Sequence, residues 1–145
     1  MMILVLPACG GGGGRLSASE YRAHLKTVAR ESDAAQHAVE KGFQASSLSQ
    51  LVKDLTAFEA AEKRIGDQVA ALKPPKDAQA ANTELANGEH DTSSELQTLL
   101  PKIKQMPSAK AAIAYLSKTP PAKGGQEIDH ALAQLKKLGY IKKVS

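Results

Sequence analysis

The chain has 145 residues, 19 Lys and Arg against 15 Asp and Glu, and a formal net charge of +4. Its 24 Ala and 16 Leu outweigh 6 Val, 6 Ile, 2 Phe and 3 Tyr, with no Trp, which disfavours a β-sandwich and favours helices. A single cysteine excludes an internal disulfide framework and any multi-cysteine zinc site, and no apolar run reaches the ~18 residues of a transmembrane helix.

The chain opens on a short apolar stretch, Met1 to Ala8, followed by Cys9 and the five glycines Gly10 to Gly14. Glycine loses the most backbone entropy on ordering, so residues 9–16 read as a flexible tether. Leu6-Pro7-Ala8-Cys9 resembles the end of a bacterial lipoprotein signal peptide, where an apolar residue and then a small one lead to the cysteine that receives lipid. Leu6, Ala8 and Cys9 match that pattern; Pro7 departs from it. The resemblance implies that residues 1–8 are the remnant of a signal peptide and that Cys9 is the lipid-attachment site. It further implies palmitate-type acyl chains and a protein exported and anchored on the outer side of the cytoplasmic membrane or in the envelope. Only eight residues precede Cys9 and none is charged, so a complete signal requires an in-frame extension upstream of Met1. A diacylglyceryl group carries two chains at once, which suits stable anchoring.

Residues 17–145 read as one helical-bundle domain. Ser17 and Glu20 form a capping box that predicts a first helix with its seam at Tyr21, Leu25, Val28, Ser32, Ala35 and Val39, and Gly42 as its stop. Ser47 and Gln50 form another capping box that predicts a second, whose seam is Leu48, Leu51, Leu55, Phe58, Glu62, Ile65, Val69 and Leu72. Pro74-Pro75 ends it. A third helix restarts at Pro75 with the seam Ala78, Ala81, Leu85, Gly88, Thr92, Leu96, Leu99 and Ile103, and Pro101 predicts a kink or an end. Two shorter helices follow, over about 108–118 and 126–138. The second of them carries Ile128, Leu132, Leu135 and Leu138 on one face, with Gly139 as a left-handed cap. The expected fold is therefore all-α: an antiparallel bundle of three long helices plus two shorter C-terminal ones.

Leu72-Lys73-Pro74-Pro75 between long Ala/Leu helices, and the ending Leu135-Lys136-Lys137-Leu138-Gly139-Tyr140, resemble small helical lipoproteins of actinobacterial type. The resemblance implies a fold and a location, and no reaction.

The motifs that carry chemistry are sparse. Glu127 and His130 have the Glu-x-x-His spacing of bundle metal sites, but a two-metal centre needs two such motifs and further inward glutamates. No nucleophile elbow, phosphate-binding loop or zinc-protease motif is present, so no catalytic residue, metal ligand or cofactor is assigned and the chain is not read as an enzyme. The mid-seam positions Ser32, Ala35, Glu62, Gly88 and Thr92 are small or polar. A carboxylate in a packed core is strongly unfavourable without a partner. Glu62 therefore either rotates outward or lines a polar cavity with Thr92.

Charge is uneven: residues 101–145 carry a net +7 and residues 46–100 a net −4. The basic C-terminal third suits contact with anionic headgroups or a wall polymer. Nucleic acid is not an expected partner, because no aromatic cluster accompanies the lysines. The expected function is an exported, lipid-anchored bundle acting as a binding or interaction module. The alternatives are a metal-binding bundle using Glu127 and His130, and a cytosolic helical interaction protein whose N-terminus mimics a signal.

Overall fold

The computed structural model describes residues 14–44, 47–120 and 122–142. The N-terminal stretch, with Cys9, lies outside these residues. Among those described there are five α-helices and no strand: α1 (Ala18–Gly42), α2 (Leu48–Ala71), α3 (Gln79–Lys104), α4 (Ala109–Leu116) and α5 (Lys123–Lys137). Each of the first two helices starts where a serine satisfies an orphan backbone N–H. The Ser17 hydroxyl accepts from Glu20 N at 3.3 Å, while the Glu20 carboxylate accepts from Ser17 N at 2.8 Å. Ser47 accepts from Gln50 N at 3.2 Å, but the Gln50 side chain donates to Asp54 rather than completing a box.

At Pro75 the chain makes a 3-10 turn, Lys76–Ala78, before α3 begins. Of the kink or end expected at Pro101, the end does not occur: α3 continues to Lys104, with Pro101 exposed on its surface. α5 begins at Lys123, three residues earlier than the composition of the loop suggests. Its start is set by packing, because Gly124 lies so close to α3 that a Cβ there would sit 2.5 Å from the Gly88 carbonyl oxygen. A Cβ on Gly88 would in turn meet Gly124 O at 2.9 Å. The helices meet backbone to backbone at this pair, which is why two glycines are needed. At the far end of α5, Gly139 takes φ +80° and Tyr140 N donates to Leu135 O at 2.9 Å, closing the helix with a left-handed cap.

α2 and α3 form the central pair; α1 packs on α2 and α5 on α3. Two apolar cores result. The first joins Tyr21, Leu25 and Val28 of α1 to Ile65, Val69, Leu85, Ala131, Leu135 and Tyr140. The second lies toward the other end and joins Leu51 and Leu55 to Leu100, Ile103, Ala109 and Ala112. The α2 seam thus faces inward, with Phe58 and Leu72 half-buried at its edges. The expected α5 face needs correction: Ala131 and Leu135 are buried, but Leu132 and Leu138 are about 40% exposed (39% and 40%). The close Gly88–Gly124 crossing turns the smaller residues inward and leaves these two leucines outside.

Candidate functional site

Between the two cores, α2 and α3 present polar side chains to the interior. Ser93 is buried and its hydroxyl donates to the Glu59 carboxylate at 2.7 Å, which also accepts from Gln97 at 2.7 Å. One turn away stand Glu62 of α2 and Glu89 of α3, each only 3% exposed. Glu62 Oε1 and Glu89 Oε2 are buried and lack a hydrogen-bond partner among the described residues. The two carboxyl groups are neighbours. Burial, followed by the hydrogen bond and charge of Glu62, pushes Glu89 up to about 9, so Glu89 keeps its proton at neutral pH. Two like groups in a low-dielectric interior hold one proton between them more readily than none.

Both carboxyl groups border open space. α1 and α5 flank the α2–α3 pair without packing closely on each other, and a groove of about 650 Å³ runs between them. Leu25, Val28 and Ala29 of α1 form one wall and Ile128 and Leu132 of α5 the other, with Leu85 and Glu89 of α3 in the floor. A second cavity of about 310 Å³ holds Glu62, Phe58 and Thr92 and adjoins the first through the shared residues Gln36, Ile128 and Asp129. Of the two fates open to Glu62, the structure shows the inward one, in a cavity with Thr92. Its partner Glu89 has no apolar signal in the sequence. It sits on a second stripe of α3, with Asn82, Ala86 and Ser93, at the same 4-3-4 spacing as the apolar seam but filled by polar and small residues.

The remaining thin-centre residues have structural uses. Gly88 admits α5, and Thr92 returns its hydroxyl to the Gly88 carbonyl at 2.9 Å. Ser32 lines the groove. Glu127 and His130 do not converge. His130 pairs with Glu84 at 2.6 Å, whereas Glu127 pairs with Lys123 at 3.0 Å, and no group of three metal-ligating side chains forms among the described residues. Lys123 also bridges to Asp91 at 2.7 Å, and its backbone N–H donates to Glu95 at 3.0 Å, so α3 caps the start of α5. These acids hold Lys123 firmly protonated, and its ammonium in turn holds Asp91 below the usual carboxylate range.

Glu95 Oε2 and Glu127 Oε2, at the start of α5, are also buried without a hydrogen-bond partner among the described residues, whereas the polar groups at Tyr21, Asn82 and Tyr140 are paired. The Tyr21 hydroxyl donates to Asn82 Oδ1 at 3.0 Å, and Asn82 Nδ2 donates to the Val69 carbonyl at 3.0 Å, linking α1, α3 and α2. Tyr140 meets Tyr21 edge to face at 5.2 Å and donates its hydroxyl to Asp77 at 2.9 Å. The chain matches no protein-family model, and comparison with curated proteins and with solved structures finds no match.

Proposed function

We propose that this protein is a lipid-anchored binding module of the bacterial envelope, tethered through Cys9, whose ligand site is the groove between α1 and α5. The observation that carries the binding role is the pair Glu62 and Glu89. Each leaves a buried oxygen unpartnered, and of the four glutamates that do so among the described residues, with Glu95 and Glu127, these two line the adjoining cavities. Bundles place ligand sites between facing helices, and cavities of ~300–1,000 Å³ lined by apolar walls with a few convergent polar groups are the usual form. The groove has that form.

The anchor rests on the sequence: the only cysteine, the apolar stretch before it and the glycine run after it. Among the described residues no helix is long and apolar enough to cross a membrane. A protein of this design reaches the bilayer through acyl chains, with its basic C-terminal third available to anionic headgroups or wall polymer. Metabolic labelling with palmitate of the full gene product and of its Cys9→Ser variant tests the anchor. Label on the first and not on the second is expected; equal labelling, or none on either, removes it.

A further inference from the structure

We infer that the groove takes a molecule with an apolar body and a protonated amine, the ammonium seated against Glu62 and Glu89. This rests on the reading of the groove as a ligand site and adds the chemical class of the ligand. The argument begins with the floor. Two carboxyl groups, each 3% exposed and each with one oxygen lacking a hydrogen-bond partner, belong to residues that line adjoining cavities, Glu89 the larger and Glu62 the smaller. An ammonium is a compact donor of three hydrogen bonds, and it supplies donors to acceptors that the protein leaves without them. It can also stand in for the proton that the pair already holds, which neither an anion nor a neutral hydrocarbon can do.

The walls then define the rest of the molecule. Leu25, Val28, Leu85 and the partly exposed Leu132 line the groove with hydrocarbon, so the amine has to be carried by an apolar body. From Arg22 to Gln36 the groove follows α1 for 14 residues, about 21 Å at the helical rise. Its ends differ in charge. Asp129 lines both cavities and Asp33 the larger one, whereas Arg22 lies 5.6 Å over the Tyr140 ring, with Lys26 one turn along α1 and Lys142 two residues past Tyr140. The acidic end orients a cationic head toward Glu62 and Glu89 and leaves the tail along the leucines. A divalent metal fits less well, since a hydrated cation makes no use of the apolar walls that Leu25, Val28, Leu85 and Leu132 supply.

Calorimetric titration of the full chain with octylamine, octanol and octanoate separates the possibilities, because the three probes share one tail and differ in the head. Octylamine is expected to bind at least tenfold more tightly than either of the others. Glu62→Gln and Glu89→Gln should each lower octylamine affinity at least fivefold and leave octanol unchanged. Ala29→Trp, which fills the α1 wall, should abolish binding of all three. If octanol equals octylamine and Ala29→Trp blocks both, the amine inference is overturned while the groove remains a ligand site. Octanoate binding most tightly overturns it as well. No binding of any probe, or binding that Ala29→Trp leaves intact, overturns the groove reading and the inference with it. Circular dichroism identifies a variant that fails to fold, in which case the three-probe comparison on the unaltered chain decides.

Discussion

Two buried polar sites lie two helical turns apart on the same face of α3, and they are built in opposite ways. At Asn82 every group has a partner: the amide takes the Tyr21 hydroxyl with its oxygen and gives its nitrogen to the Val69 carbonyl. At Glu89 the carboxyl group faces another carboxyl group, and both retain an unpartnered oxygen. A satisfied buried network fixes three helices in one arrangement. An unsatisfied one costs stability and does nothing for the packing. The contrast separates a structural polar site from one suited to something outside the chain, and it does so within a single pair of helices.

The sharpest way to break the comparison is to strip the satisfied site. Asn82→Ala strands the Tyr21 hydroxyl in the core and removes one of the two hydrogen bonds to the Val69 carbonyl, which keeps Leu72 N, and should cost about 1–3 kcal/mol, read from urea unfolding. Adding Tyr21→Phe removes the stranded hydroxyl and should recover part of that loss. The unsatisfied site should respond with the opposite sign: Glu62→Leu with Glu89→Leu should raise stability by about 1–4 kcal/mol. Equal destabilisation by both changes would show that the two sites do the same job.

The proton on Glu89 extends the same test to pH. Its folded-state value, about 9, lies above the ordinary 4.5. Between those values the folded chain keeps a proton that the unfolded chain has lost. Unfolding then releases a proton, so stability should fall as pH rises from about 4.5 to about 9 and level off above. Glu89→Gln should flatten that slope in melting curves taken across the window. A smaller effect is expected at the helix crossing, where Gly124→Ala presses a Cβ onto the Gly88 carbonyl and should cost about 1–3 kcal/mol. The smallest, about 1 kcal/mol, belongs to Ser17→Ala, which removes one cap and touches neither polar site.

Much of the architecture was legible because it follows from local chemistry. Ser17, Ser47, Pro74 and Gly139 mark boundaries through hydrogen bonds or backbone geometry that belong to their own segments. The α2 seam was legible for a related reason, since leucine, isoleucine and valine at helical spacing have only one favourable direction. Glu62 stood out as the one polar residue in it. Glu89 did not, because a polar residue on a half-polar helix looks the same whether it faces water or the core. Its burial is decided by how α5 leans on α3, and that angle depends on Gly88 and Gly124, which are distant in sequence. The same crossing explains why Leu132 and Leu138 remain exposed despite their spacing.

The junction before α1 has a mechanical consequence. Leu16 N donates to Lys73 O at 2.7 Å, Arg15 reaches Pro74 O at 2.9 Å and also bonds Gln79, and the Leu16 side chain packs against the first core. A pull applied ahead of Arg15 therefore arrives first at the corner between α2 and α3, where these three hydrogen bonds and the buried Pro74 resist it together. The first turn of α1 is shielded from that load. Were the chain held through Cys9 as proposed, a load entering ahead of Arg15 would pass by this clamp into the central helix pair instead of peeling the outermost helix away.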